Sequence, residues 1–191
     1  IDEKLDYKNV LPIINNAKLQ APSVCNALDT ILIHEKQLNN LLPKIVSELN
    51  KNGVQTRLDS KLYQSIKNAD SIKLIRKAND KDWGKEFLDL IVSIKSVKSV
   101  DDAINHIDEY SFGHTDGIIS NINKNINTFV QRVNSSAVTV NASTRFNDGG
   151  EIGLGSEIAI STTKVSPRGP LGLEEITTYK WLIKGKGHTR V

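Results

Sequence analysis

Apolar positions in this chain fall by turns at helical and at strand spacing, from the first residues to about position 140. Val10, Ile13, Ile14 and Ala17 predict an amphipathic helix over 5–18. Asp2, Glu3 and Asp6 stand at its front, where negative charge suits the helix dipole. Thr30–His34 (TILIH) is a short β-branched apolar run, the mark of a buried strand. Leu38, Leu41, Leu42, Ile45, Val46 and Leu49 draw the clearest helical stripe, and Asn52-Gly53 ends it because both residues tolerate the left-handed conformation.

The same reading continues with a strand near Val54–Arg57, a helix over Ser60–Ile66, and strands near Ile72–Ile75 and Leu88–Val97. Ser99 and Asp102 have capping-box spacing ahead of Ala103, Ile104 and Ile107. Asp116–Ser120 reads as a strand, Ile122, Ile126, Phe129, Val130 and Val133 as a helix face, and Ala137–Val140 as a further strand. Alternation of this kind predicts an α/β fold of three layers with a mostly parallel sheet. After Asn141 the character changes. Residues 142–175 are rich in Gly, Ser and Thr and hold Pro167 and Pro170, which predicts loops, and Thr177–Lys184 (TTYKWLIK) predicts a final strand able to pair with another chain. The expected division is 1–165 for the main domain and 166–191 for a C-terminal tail.

Composition narrows the class. Apolar residues are 38% and charged residues 25% of the 191, ordinary for a globular protein, and no apolar run reaches spanning length. The expected setting is cytoplasmic, without a membrane. Twenty-five basic residues interleave with 22 acidic ones for a net charge of +3, which is not the footprint of a nucleic-acid binder. The chain starts at Ile1 and contains no methionine, so the expectation is a piece of a longer protein.

The single cysteine, Cys25, cannot form an internal disulfide. It follows Pro22 in APSVCNALDT, where a turn can present a thiolate nucleophile, although free cysteines are also common core residues. His34 ends a predicted strand nine residues later, and a polar strand end explains it as well as a Cys–His pair does. The four histidines show no metal-ligand spacing, so no metal is expected. The glycines of Asp148–Gly155 lack both phosphate-loop and dinucleotide spacing. Arg145 beside Phe146 is able to fork onto a carboxylate or phosphate, or to stand on the surface. Glu86 alone reads as a surface carboxylate.

Three blocks change this picture. NAKLQAPSVCNALDTILIH at 16–34, VNSSAVTVNASTRFNDGGEIGLGSEIAIST at 133–162 and RGPLGLEEITTYKW at 168–181 closely resemble the γ-glutamyl phosphate reductase family, within the aldehyde dehydrogenase superfamily. EFLDL at 86–90 and HTDGIIS at 114–120 are intermediate landmarks, so the resemblance runs through nearly the whole chain. It implies that Cys25 is the nucleophile of an NADPH-dependent reduction of L-glutamyl 5-phosphate to glutamate 5-semialdehyde, a step of proline biosynthesis. It also implies Glu86 at the nicotinamide ribose, and Arg145, Phe146 and Asn141 on the substrate side, with the 148–155 glycines shaping that wall.

The resemblance further implies that NADP is bound mainly by an upstream domain not encoded here, and that the molecule is a homo-oligomer joined through strands such as 177–184. Turnover by this chain alone is therefore not expected. Two other readings stay open: a relative with a different acyl substrate, and a non-catalytic oligomerisation module with an incidental thiol. Whether the parent is fused to a glutamate kinase, and whether NADPH or NADH is preferred, lies outside these residues.

Overall fold

The computed structural model describes residues 1–68 and 73–190. Helix α1 (Tyr7–Leu19) starts where the Asp6 carboxylate accepts the Lys8 amide at 3.2 Å. Strand β1 (Thr30–His34) leads into α2 (Leu38–Lys51), whose predicted stripe is buried from Leu41 to Leu49. Gly53, at φ +78°, turns the chain into β2 (Gln55–Leu58). Then come α3 (Ser60–Ile66), β3 (Ile75–Lys77) and β4 (Ile91–Val97). The strand expected near Ile72–Ile75 lies partly outside the described residues.

These four strands form one parallel sheet in the order β1-β4-β2-β3, so β4 enters between the first two. Ile31, Ile33, Leu58, Val92 and Ile94 pack with Val10, Ile14 and the α2 stripe into the main core. Neighbouring strand residues face opposite ways. Lys95, next to Ile94, therefore turns to the other face and meets His106 of α4 (Val100–Tyr110) at 3.1 Å. Helices thus cover both faces, as the alternating pattern predicts. Ser99 caps α4 by accepting the Asp102 amide, but Asp102 accepts from Lys98 and not from Ser99, so only half of the expected capping box forms.

A second unit follows as β5 (Thr115–Ile118), α5 (Asn123–Arg132) and β6 (Ala137–Val140), with β5 parallel to β6. Its own small core is Ile104, Ile118, Phe129 and Val133. Asp2 joins the two units and does not serve the α1 dipole. Its buried carboxylate accepts from the Ser120 hydroxyl at 2.6 Å and the Asn125 amide at 2.9 Å. Those bonds turn the carboxylate toward Ser120 and Asn125, and α1 begins five residues later.

Residues 142–175 are not all loop. Short β7 (Ala159–Ser161) and β8 (Gly169–Leu171) pair antiparallel, and one turn of helix, α6 (Leu173–Ile176), follows. The expected strand at 177–184 is not formed. That segment is irregular and open to solvent, with Trp181 84% and Ile183 91% exposed. Its β-rich residues have no ladder partner among the described residues, and propensity without a partner does not make a strand.

Candidate active site

Where α1 ends, the chain makes a compact turn before β1. Ala27 donates to the Val24 carbonyl at 3.0 Å and Leu28 to the Ala17 carbonyl at 2.9 Å, so Cys25 is carried on a fold of backbone anchored to the helix. Cys25 is exposed. It stands in the wall of a cavity of about 230 Å³ shared by the parallel sheet and the β5–β6 unit. Packing filler would be sealed away, and this thiol is not.

Its neighbour Asn26 is buried, with both ends of its side chain engaged. The side-chain amide donates to the Asn147 carbonyl at 3.0 Å, its oxygen accepts from the Arg145 guanidinium, and its backbone carbonyl accepts the Thr144 hydroxyl at 2.7 Å. Arg145 also donates to Gln20 at 3.2 Å. The 143–147 segment is therefore a clamp on the residue following the thiol. A charge-assisted bond of this kind contributes roughly 1.5–3 kcal/mol when its acceptor is buried.

Glu86 lines the same cavity as Cys25. Its loop is pinned from below. The Phe87 amide donates to Asp29 at 3.3 Å, and Asp29 also pairs with Lys18 at 3.3 Å. The Lys18 side chain is wholly buried. Burial raises the Asp29 carboxyl above its ordinary value and lowers the Lys18 amine below its own, while their mutual attraction opposes both shifts. Arg57 lies over the Phe87 ring at 4.8 Å and is paired with Asp82. The loop's entry to β4 passes through Leu88 at φ +52°, a conformation such contacts must hold in place.

The far wall comes from the β5 segment. Asp116, whose carboxyl burial pushes up, accepts the hydroxyls of Ser111 at 2.8 Å and of Ser135. His114 is held below its ordinary value, first by burial, with Glu86, Glu157 and Asp116 pulling the other way. Among the described residues no cluster of three or more metal-ligating side chains is present, and no helix is long and apolar enough to cross a membrane.

The structure thus brings Cys25 and Glu86 to one cavity, with Arg145 one residue behind the thiol. It does not bring Asn141 or Phe146 there. Asn141, at φ +52°, uses its amide to bracket Ser120, accepting from the Ser120 nitrogen and donating to its oxygen, both at 2.9 Å. Phe146 is 53% exposed on the outer side of the clamp. The Asp148–Gly155 run folds on itself, with Leu154 donating to Gly149 at 2.8 Å, and supplies nothing to the cavity wall. Sequence reasoning gave no role to Asn26, Thr144, His114 or Asp116. Only the polar triplet His114-Thr115-Asp116, opening a strand that should be apolar, hinted at the last two.

No protein-family model matches the chain. Over its full length it is 49% identical to the γ-glutamyl phosphate reductase of Clostridium botulinum and 46% identical to that of Thermotoga maritima. It spans 44% of the length of each. The crystal structure of the Thermotoga maritima γ-glutamyl phosphate reductase superposes on 99% of the chain with a TM-score of 0.91, again using 44% of that protein. A propionaldehyde dehydrogenase from Clostridium phytofermentans, 20% identical, covers 90% of the chain and 46% of its own at a TM-score of 0.61, which shows the shared fold alone. The chain belongs, over its entire length, to the γ-glutamyl phosphate reductase family with its aldehyde dehydrogenase-like fold, and it spans a little under half of a member.

Proposed function

We propose that this chain is the thiol-bearing part of an oxidoreductase that reduces L-glutamyl 5-phosphate to L-glutamate 5-semialdehyde in proline biosynthesis. The observation that carries the reading is the exposed Cys25 in the wall of a cavity, in a chain whose every segment aligns with reductases of that name. The Cys25 thiolate attacks the acyl carbon. A C–S bond forms as the C–O bond to phosphate breaks, and phosphate carries the electron pair away. The thioester divides one hard reduction into two easier steps. A bound nicotinamide cofactor, NADP in this reading, supplies the hydride that takes the thioester to the aldehyde level. The resulting thiohemiacetal on Cys25 then collapses, returning the thiolate and releasing the aldehyde.

Glu86 fits the cofactor side, since a carboxylate accepts from ribose hydroxyls and this one shares the cavity with the thiol. No Gly-rich strand–turn–helix unit occurs among the described residues, so most of the cofactor's contacts belong to another part of the protein. Arg145 reaches substrate only by exchanging Asn26 for a carboxylate or phosphate, and Phe146 and Asn141 need a rearrangement of the same loop. Residues 1–165 form the catalytic portion in this reading and 166–191 a tail that pairs with a second copy, in a cytoplasmic enzyme.

The test uses acetyl phosphate as acyl donor and intact-mass spectrometry as readout. A single acetyl adduct, removed by hydroxylamine and absent from Cys25→Ala, is expected. Equal labelling of Cys25→Ala, or no labelling of the parent chain, overturns the reading.

A further inference from the structure

The lining of the Cys25 cavity holds a ring nitrogen with no hydrogen-bond partner among the described residues, the buried Nε2 of His114. The other edge of the ring is tied down. Nδ1 lies 2.7 Å from the Thr115 hydroxyl, and that hydroxyl accepts the Asn147 side-chain amide at 2.8 Å. The Thr115 hydroxyl keeps one proton of its own to give, and as a donor to Nδ1 it makes the ring an acceptor at that edge. A ring that accepts at Nδ1 and is kept neutral by burial carries its hydrogen on Nε2.

The ring is tied to the same loop that clamps the thiol, since Thr115 accepts from Asn147 and the Asn147 carbonyl accepts from Asn26. An N–H left unpaired in a buried site is destabilising unless a ligand completes it.

We propose that His114 is a catalytic residue whose Nε2–H donates to the acyl oxygen of a substrate held on Cys25, stabilising the tetrahedral oxyanion. The assignment rests on the acyl-capture reading above. The backbone amides of Cys25 and Asn26, which take no partner among the described residues, supply further donors beside the nucleophile. A preorganised donor gains strength as charge develops on oxygen and gives little to a reaction that develops none there.

That asymmetry supplies the experiment. In the full chain, acylation of Cys25 by p-nitrophenyl acetate (thiolate in, p-nitrophenolate out) passes through an oxyanion. Alkylation by iodoacetamide displaces iodide and does not. His114→Ala is expected to slow acylation tenfold or more and to change alkylation less than twofold. His114→Gln, which keeps an N–H donor, recovers part of the loss. Ring nitrogen-15 shifts of the unmodified chain are expected to show a neutral His114 protonated at Nε2.

If both rates fall together the residue is structural, and if neither falls it is a bystander; either result overturns the proposal, as does a proton found on Nδ1. A parent chain that alkylates at Cys25 yet accepts no acyl group from the ester or from acetyl phosphate sinks the acyl-capture reading and this assignment with it. The failure of His114 alone leaves acylation intact.

Discussion

The parallel sheet and the C-terminal tail are built from the same kinds of residue, and they end in opposite conditions. Ile31, Ile33, Val92 and Ile94 are buried between helices, whereas Ile176, Tyr179, Trp181, Leu182 and Ile183 stand in solvent. The sheet strands find neighbours inside the chain, β4 pairing with β1 on one side and β2 on the other. Residues 177–184 find none among the described residues. An apolar, β-rich segment left so open calls for a partner, and in the proposed assembly that partner is a second copy. Stability is thus held in the sheet and its helices, and in the proposed assembly the tail supplies the interface.

The largest effect that sharpens this contrast belongs in the main core. Leu49 is wholly buried on α2 against the sheet, and Leu49→Ala removes packed volume with little room for collapse. A loss of about 2–5 kcal/mol is expected, read as a fall in the urea midpoint without a large change in slope. A loss below about 1 kcal/mol breaks the claim that the core carries the fold.

That core was also the part most legible in the sequence. The Leu41–Leu49 stripe and the TILIH run are local patterns, and each appears in the structure at the expected residues. The tail strand does not form in the single chain because β-propensity is local while a ladder needs a second strand. The short β7–β8 pair was missed for the converse reason. Three residues each, one of them Pro170, give no alternating signal. At the site, Cys25 was legible through the resemblance, but Asn26 was not. Its partner Asn147 is 121 positions away, a separation no spacing rule spans.

The clamp comes next in size. Asn26→Ala takes the acceptor from Arg145 and the donor from the Asn147 carbonyl, leaving a guanidinium with Gln20 as its remaining partner. About 1–3 kcal/mol is expected, confined to the 143–147 loop and the Cys25 turn. Hydrogen exchange should show faster exchange at those amides and little change in α2. Uniform loss of protection would mean that the clamp and the core form one cooperative unit, erasing the distinction drawn here.

A pH dependence separates the two faces of the sheet. His106 packs edge-on against Trp83 at 5.6 Å between ring centres and beside Tyr110 at 4.6 Å. Burial, then the Lys95 ammonium, lower its pKa from 6.5 to about 4, with Glu109 and Asp102 opposing. Above pH 6.5 the ring is neutral folded or unfolded. Between 6.5 and about 4 the unfolded chain takes a proton that the folded one refuses, so stability falls as pH falls through that window. The contribution is on the order of 2 kcal/mol. His106→Phe keeps the ring packing and should flatten the decline between pH 7 and pH 4.5 in urea titrations. An unchanged slope assigns the dependence to carboxylates instead.

The smallest effect on folding, and the one that bears most on the tail, is Trp181→Ala. The indole is exposed, with Tyr179 edge-on at 5.7 Å as its aromatic neighbour, so its removal leaves no cavity. The urea midpoint of the chain should move by no more than about 0.5 kcal/mol in free energy. Its assembly should respond where its stability does not. In the proposed pairing the apolar strip of 176–183 becomes the buried centre of an interface, and large aromatic side chains dominate such centres. Light scattering at micromolar concentration is expected to report an oligomer for the parent chain and a shift toward monomer for the variant. A parent chain that is monomeric at that concentration removes the second copy as the tail's partner. A variant that loses several kcal/mol of folding stability instead places the tail inside the fold and ends the comparison.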